Sequence, residues 1–166
     1  MAHEPRLTRE LRALLHTQRV AALGTINQDG TAFVSMVPYA LEPALACLVI
    51  HVSGLAAHTR NLLTRPQVSL LVMQAEVPHE PVHALPRVTL DALAQALEPA
   101  SHAWQACRDA YLARSPEAEP MTQLADFQFL ALEFKGARQI AGVGPARSTQ
   151  TVPIHLALGP DPYAFS

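Results

Sequence analysis

The chain has 166 residues, 49% hydrophobic and 16% charged. That is the size and composition of a single folded domain rather than a disordered segment. Twelve Lys plus Arg against fourteen Asp plus Glu leave a net charge of −2, which excludes an electrostatic case for nucleic-acid binding. Pro5 precedes an amphipathic segment, Leu7 to Arg19, with Leu7, Leu11, Leu14 and Leu15 at the 3.6-residue period of a helix. His3 and Thr8 are its candidate capping residues. Val20 to Ile26 and Thr31 to Ala40 are β-prone runs separated by Asn27-Gln-Asp-Gly30, and an Asp-Gly at that place predicts a hairpin. A third apolar run, Ala44 to Val52, completes a meander after Glu42-Pro43.

Ser53 to Thr64 (SGLAAHTRNLLT) reads as a helix with Leu55, Leu62 and Leu63 inward, stopped by Pro66. Val68 to Met73 is another strand, and residues 76–86, rich in proline, a loop. Residues 86–97 are ambiguous: the alanines favour a helix, Arg87-Val-Thr-Leu90 a strand. Ser101 to Arg114 carries Trp104, Cys107, Ala110 and Tyr111 at helical spacing. Phe127 to Phe134 and Arg138 to Val143 are two strand candidates around Gly136, and the stretch after Pro145 reads as a loose tail. Several short antiparallel strands with only three helices predict a closed or half-closed barrel with peripheral helices.

Motifs for other chemistries are absent: GxSxG, P-loop, GxGxxG and HExxH do not occur. His79 and His83 are four apart, but Pro78 and Pro81 prevent the helix that would bring them to one metal, so no metal site is expected. Cys47 and Cys107 lack zinc or CxxC spacing and read as small buried hydrophobes. No run approaches the ~20 apolar residues of a membrane span, and a reduced, cytoplasmic protein is the expectation. Lys135 is the only lysine among the 12 cations, which coding bias explains as well as phosphate recognition. Ser53-Gly-Leu-Ala-Ala-His-Thr-Arg-Asn61 passes from a strand end through Gly54 into a helix. Free N–H groups there, with Ser53, His58, Thr59 and Arg60, suit a phosphate monoester, or else form an ordinary helix start. Ser35-Met-Val-Pro-Tyr39 has a proline inside a strand, which marks an edge or an opening against which a flat aromatic ligand can lie.

In order, ALGTINQDGTAFVSMVPYAL, LVIHVSGLAAHTRNLLTRPQVSLLV, PRVTLDALA and FKGARQIAGVGPA resemble the FMN-binding split barrel of the pyridoxamine 5′-phosphate oxidase class. The nearest branch is the short HugZ-type proteins related to haem utilization. The resemblance spans residues 7–147 and implies a mainly β fold with peripheral helices, a six-stranded antiparallel split β-barrel over residues 1–147, and a Pro-rich tail over 148–166. It also implies a homodimer with FMN at the subunit interface. Ser35, Met36, Val37, Pro38 and Tyr39 would then line the flavin, Ser53, His58, Thr59, Arg60 and Asn61 would hold its phosphate, and Arg87 would reach the ring.

Departures from the oxidase pattern cluster at the phosphate. Ser35 and Ala40 stand where the oxidases carry basic strand residues, and His58-Thr59 replace a basic pair. Ala141 to Ala146 reads AGVGPA in place of a Gly-Gly-Phe-Gly-Arg-like segment. The leading expectation is an FMN-dependent oxidoreductase of unknown substrate, with Tyr39, His51 and His58 as candidate acid–base groups. The alternatives are a haem-binding or haem-degrading protein on the same barrel, with His51 or His155 as axial ligand, and a cofactor-free dimeric binding module.

Overall fold

The computed structural model describes residues 4–142, 150–151 and 157–159. Eight antiparallel strands form one sheet in the order β2-β1-β5-β6-β7-β4-β3, with β8 (Gln150–Thr151) added to β7. The others are β1 (Val20–Ile26), β2 (Ala32–Pro38), β3 (Ala40–Glu42), β4 (Cys47–Ser53), β5 (Gln67–Met73), β6 (Arg87–Ala96) and β7 (Phe127–Ile140). The two ends of this sheet, β2 and β3, are one run of chain broken only at Tyr39. The sheet therefore curls back on itself, and counting β2–β3 as one bent strand gives the six-stranded barrel, to which β8 is a two-residue addition.

The barrel stays split because closure is partial. β3 pairs with Cys47, Leu48 and Val49 of β4, whereas β2 pairs only with β1. From Ile50 onward, β4 has β7 on one side and, among the described residues, no strand on the other. Pleat alternation sorts the side chains: Leu23, Leu48, Ile50, Leu70, Leu90, Leu130 and Leu132 fill the interior together with Leu11, Leu14 and Leu15 of helix α1 (Arg6–Thr17). Cys47, Val49, Phe129 and Ala131 point the opposite way and are covered by Cys107 and Tyr111 of helix α3 (His102–Arg114).

Several local expectations are corrected. The helix expected from Ser53 is shorter: α2 runs from Ala57 to Thr64, Leu62 alone of the three leucines is buried, and Leu55 and Leu63 are exposed. Residues 53–56 instead form a turn held by a Gly54 N–H bond to the Asp126 carbonyl, 2.6 Å. The segment 87–96 is a strand, because pairing with both β5 and β7 outweighs the helix propensity of its alanines. The two strands expected around Gly136 are one continuous β7, which absorbs the irregularity as a register shift opposite Asp91/Ala92. At α1, Pro5 takes the N-cap position with no side-chain cap, and Thr8 is buried inside the helix. Of the stretch read as a loose tail, Ala157 and Leu158 belong to the interior cluster; Pro145 and His155 lie outside the described residues. No helix among the described residues is long and apolar enough to cross a membrane.

Candidate functional site

Helix α2 follows directly from β4 and sits at the split. Across it, Ser35 Oγ of β2 and His58 Nδ1 of α2 are 2.9 Å apart, so one hydrogen bond links the free side of β2 to the element that continues β4. Burial lowers the His58 pKa, which keeps the imidazole neutral near pH 7. A Ser–His contact is the start of a nucleophilic pair, but no third group among the described residues hydrogen-bonds the other ring nitrogen to orient it.

Most of the donors expected at a phosphate are spent within the chain. Thr59 is fully buried and donates to the Ser53 carbonyl at 2.6 Å. Ser53 donates to the Asp126 carboxylate at 2.8 Å and accepts the Leu55 N–H at 3.1 Å. Asn61 donates to Thr25 Oγ1 at 3.0 Å and to Asn27 Oδ1 at 2.9 Å, clipping α2 to the β1–β2 hairpin. Arg65 adds bonds to the carbonyls of Asn27 (2.7 Å) and Gln28 (3.2 Å). Arg60 is exposed and turned away from His58, about 200° around the helix from it. A phosphate dianion at this turn would meet the Asp126 carboxylate and find few unspent donors. The residues present do not fit the phosphate of FMN.

Strand alternation divides the Ser35–Tyr39 motif. Ser35, Val37 and Tyr39 face inward, whereas Met36 and Pro38 face out. Tyr39 is 1% exposed, and its hydroxyl donates to the Leu15 carbonyl at 2.8 Å, so its ring lines no ligand surface. Arg87, at the far end of β6, donates to the carbonyls of Leu85 (3.0 Å) and His83 (3.3 Å), and is not brought to Ser35 or His58. His51 lies on the face covered by α3, among Phe129 (4.4 Å), Phe127 (5.1 Å) and Tyr111 (5.8 Å), which leaves no open side for a ligand.

His51 Nδ1 is buried without a hydrogen-bond partner, and burial lowers the pKa of this ring below the ordinary 6.5. The unfolded chain therefore takes up the proton first as pH falls, so the stability contributed by neutral His51 is present above about 6.5 and is lost below it. His51→Phe suits the aromatic surroundings and removes the orphaned nitrogen. The variant is expected to lose less thermal midpoint than the parent between pH 7.5 and 5.5; equal losses would remove His51 as a source of acid sensitivity.

What remains open is the outer face of β1 and β2. Val34 is 68% exposed and Met36 62%, and Val20 and Ile26 are also exposed. The register sets Val34 beside Gly24 and Met36 beside Ala22, with Ser69 and Leu71 of β5 next in these rows. Gly24, which has no side chain, keeps this part of the sheet low. A groove of about 480 Å³ runs here, with Val34 and Ile26 on one side and Asp91 and Lys135 on the other. No sequence pattern marked Asp126, Arg65 or Asp91 for these places; only the register and the α2 turn bring them there.

Residues 7–141 match the family model described as pyridoxamine 5′-phosphate oxidase. The chain is 34% identical over 152 residues to the chloroplastic non-canonical haem oxygenase HOZ of Arabidopsis thaliana, covering 87% of this chain and 45% of that protein. It is 28% identical over 146 residues to the haem oxygenase HutZ of Vibrio cholerae, covering 85% of this chain and 80% of that protein. Among solved structures, a haem-binding protein from Mycobacterium smegmatis superposes with a TM-score of 0.80 at 26% identity, over 94% of this chain and 62% of that one. The chain thus spans less than half the length of the Arabidopsis relative. The split barrel, the family match and these relatives agree: the chain belongs to the pyridoxamine 5′-phosphate oxidase family, in its HugZ-type branch.

Proposed function

We propose that this chain is a haem-binding protein that works as a homodimer, holding haem between two copies against the outer face of β1 and β2, and that oxidative opening of the haem ring is its reaction. The observation that carries this reading is an open apolar sheet face beside a turn most of whose phosphate donors are already spent. A porphyrin face needs a broad apolar floor, which Val34, Met36, Ala22 and Leu71 supply; a flavin mononucleotide needs a phosphate cradle. The haem oxygenase names of the Arabidopsis and Vibrio relatives support the same choice. Haem, when bound, supplies the oxygen chemistry, and the chain supplies binding, orientation and exclusion of water. Free, buried Cys47 and Cys107 suit the reducing cytoplasmic setting included in this proposal.

The test is a pair of titrations on the purified protein. Hemin is expected to give a saturable Soret band at one haem per chain or fewer, and loss of that band with ascorbate and oxygen would register ring opening. FMN is expected to leave its own fluorescence unquenched. Saturable FMN quenching without a hemin-dependent Soret band would overturn the reading and restore the flavin.

A further inference from the structure

We propose that the cavity between the outward face of α2 and the β1–β2 turn is a second binding site, one for a small amphiphile with a carboxylate head and a short apolar body. The cavity is about 670 Å³, within the range of small-molecule sites, and lies on the side of α2 opposite the Ser35–His58 contact. Ala57, Arg60 and Thr64 recur at helical spacing along that side, with Leu63 beside them, while Ile26 and Gln28 form the facing wall.

The charge pattern selects the head group. Arg60 and Arg65 both line the cavity, and no acidic residue does. Arg65 is committed to the carbonyls of Asn27 and Gln28, whereas the Arg60 guanidinium makes no hydrogen bond or ion pair among the described residues. A guanidinium with unspent parallel donors fits a carboxylate in bidentate fashion. The apolar contribution comes from Leu63 and Ile26, 50% and 36% exposed on the two walls, which gain by covering a short hydrocarbon chain.

The walls are also fixed in advance. Asn61 and Arg65 together make four hydrogen bonds from α2 and its C-terminal end to residues 25, 27 and 28, so the spacing of helix and turn does not depend on a ligand. None of those bonds involves the Arg60 guanidinium, so Arg60 stays available without unpinning the helix.

Octanoate is the probe, followed by amide shifts in two-dimensional NMR of the full chain. Saturable shifts are expected in residues 26–28 and 57–65, and octanamide, of the same length without the charge, is expected to bind about tenfold or more weakly. Arg60→Ala is expected to weaken octanoate by about the same factor and to leave the weak octanamide binding in place, while Arg60→Lys recovers part of the loss. Arg9→Ala, an exposed arginine on α1, serves as the comparison and is expected to change nothing. An unchanged amide spectrum outside the cavity shows that a variant is folded. Octanoate binding unaffected by Arg60→Ala, an equal loss in Arg9→Ala, or shifts centred on Val34 and Met36 would each overturn the proposal.

Discussion

Tyr39→Ala is expected to lower the free energy of unfolding by about 3–5 kcal/mol, the range for deleting a buried aromatic side chain. Residue 39 is where the chain leaves one end of the sheet and joins the other, and three elements converge on it. Its N–H bonds the Arg19 carbonyl at 3.1 Å, its ring belongs to the interior cluster, and its hydroxyl reaches the Leu15 carbonyl at the end of α1. Arg114 of α3 lies 4.9 Å over the ring and donates to the carbonyls of Leu15, His16 and Gln18. Tyr39→Phe keeps the ring, and the Leu15 carbonyl keeps its bond from Arg114, so that variant is expected to cost only about 1 kcal/mol. Urea unfolding followed by far-UV circular dichroism separates the two. Equal losses in the Phe and Ala variants would place the stability in the hydroxyl rather than in the packing at the bend.

Local signals brought the reading of the sequence close to the barrel. The Asp-Gly turn, the leucine period of α1 and the apolar run of β5 depend only on neighbours along the chain, and the structure contains each. Neighbours along the chain leave the answer open or mislead where distant contacts decide. Residues 87–96 are alanine-rich, yet hydrogen bonds to two flanking strands fix them as β6. Leu55 is exposed because the Gly54 turn delays α2 until Ala57, and Leu63 faces outward because it follows buried Leu62 by one position, about 100° around the helix. The site was legible as a set of residue types and not as an arrangement. Ser53, Thr59 and Asn61 have the right donors for a phosphate, but Asp126, Thr25 and Asn27 claim those of Ser53 and Asn61 from more than 30 residues away, and Thr59 donates to the Ser53 carbonyl within the turn. Tyr39 likewise sits in a ligand-lining motif and turns inward on pleat alternation alone.

Placing glutamate at both Val34 and Met36 is expected to break the proposed homodimer into monomers and to weaken the proposed haem binding by about a hundredfold or more. Both side chains point away from the interior, so the barrel has no reason to unfold when they change. Both sit in rows of small apolar neighbours, Gly24 and Ala22, where a second copy or a porphyrin would have to lie flat. Enclosing even one unpaired carboxylate in such a contact costs several kcal/mol after relaxation, and each factor of ten in affinity corresponds to about 1.4 kcal/mol. In the proposed homodimer two-fold symmetry doubles the effect, because each copy brings the same charges to the same interface. Leu45→Glu is the comparison: Leu45 is also exposed, but it lies in the β3–β4 turn, on the half of the sheet that α3 covers. Light scattering after gel filtration and a hemin titration read the two consequences separately. A monomer that still binds haem would move the haem off the interface but keep the dimer face. A dimer that no longer binds haem would do the reverse, and a variant unchanged in both would reject the β1–β2 face for either role.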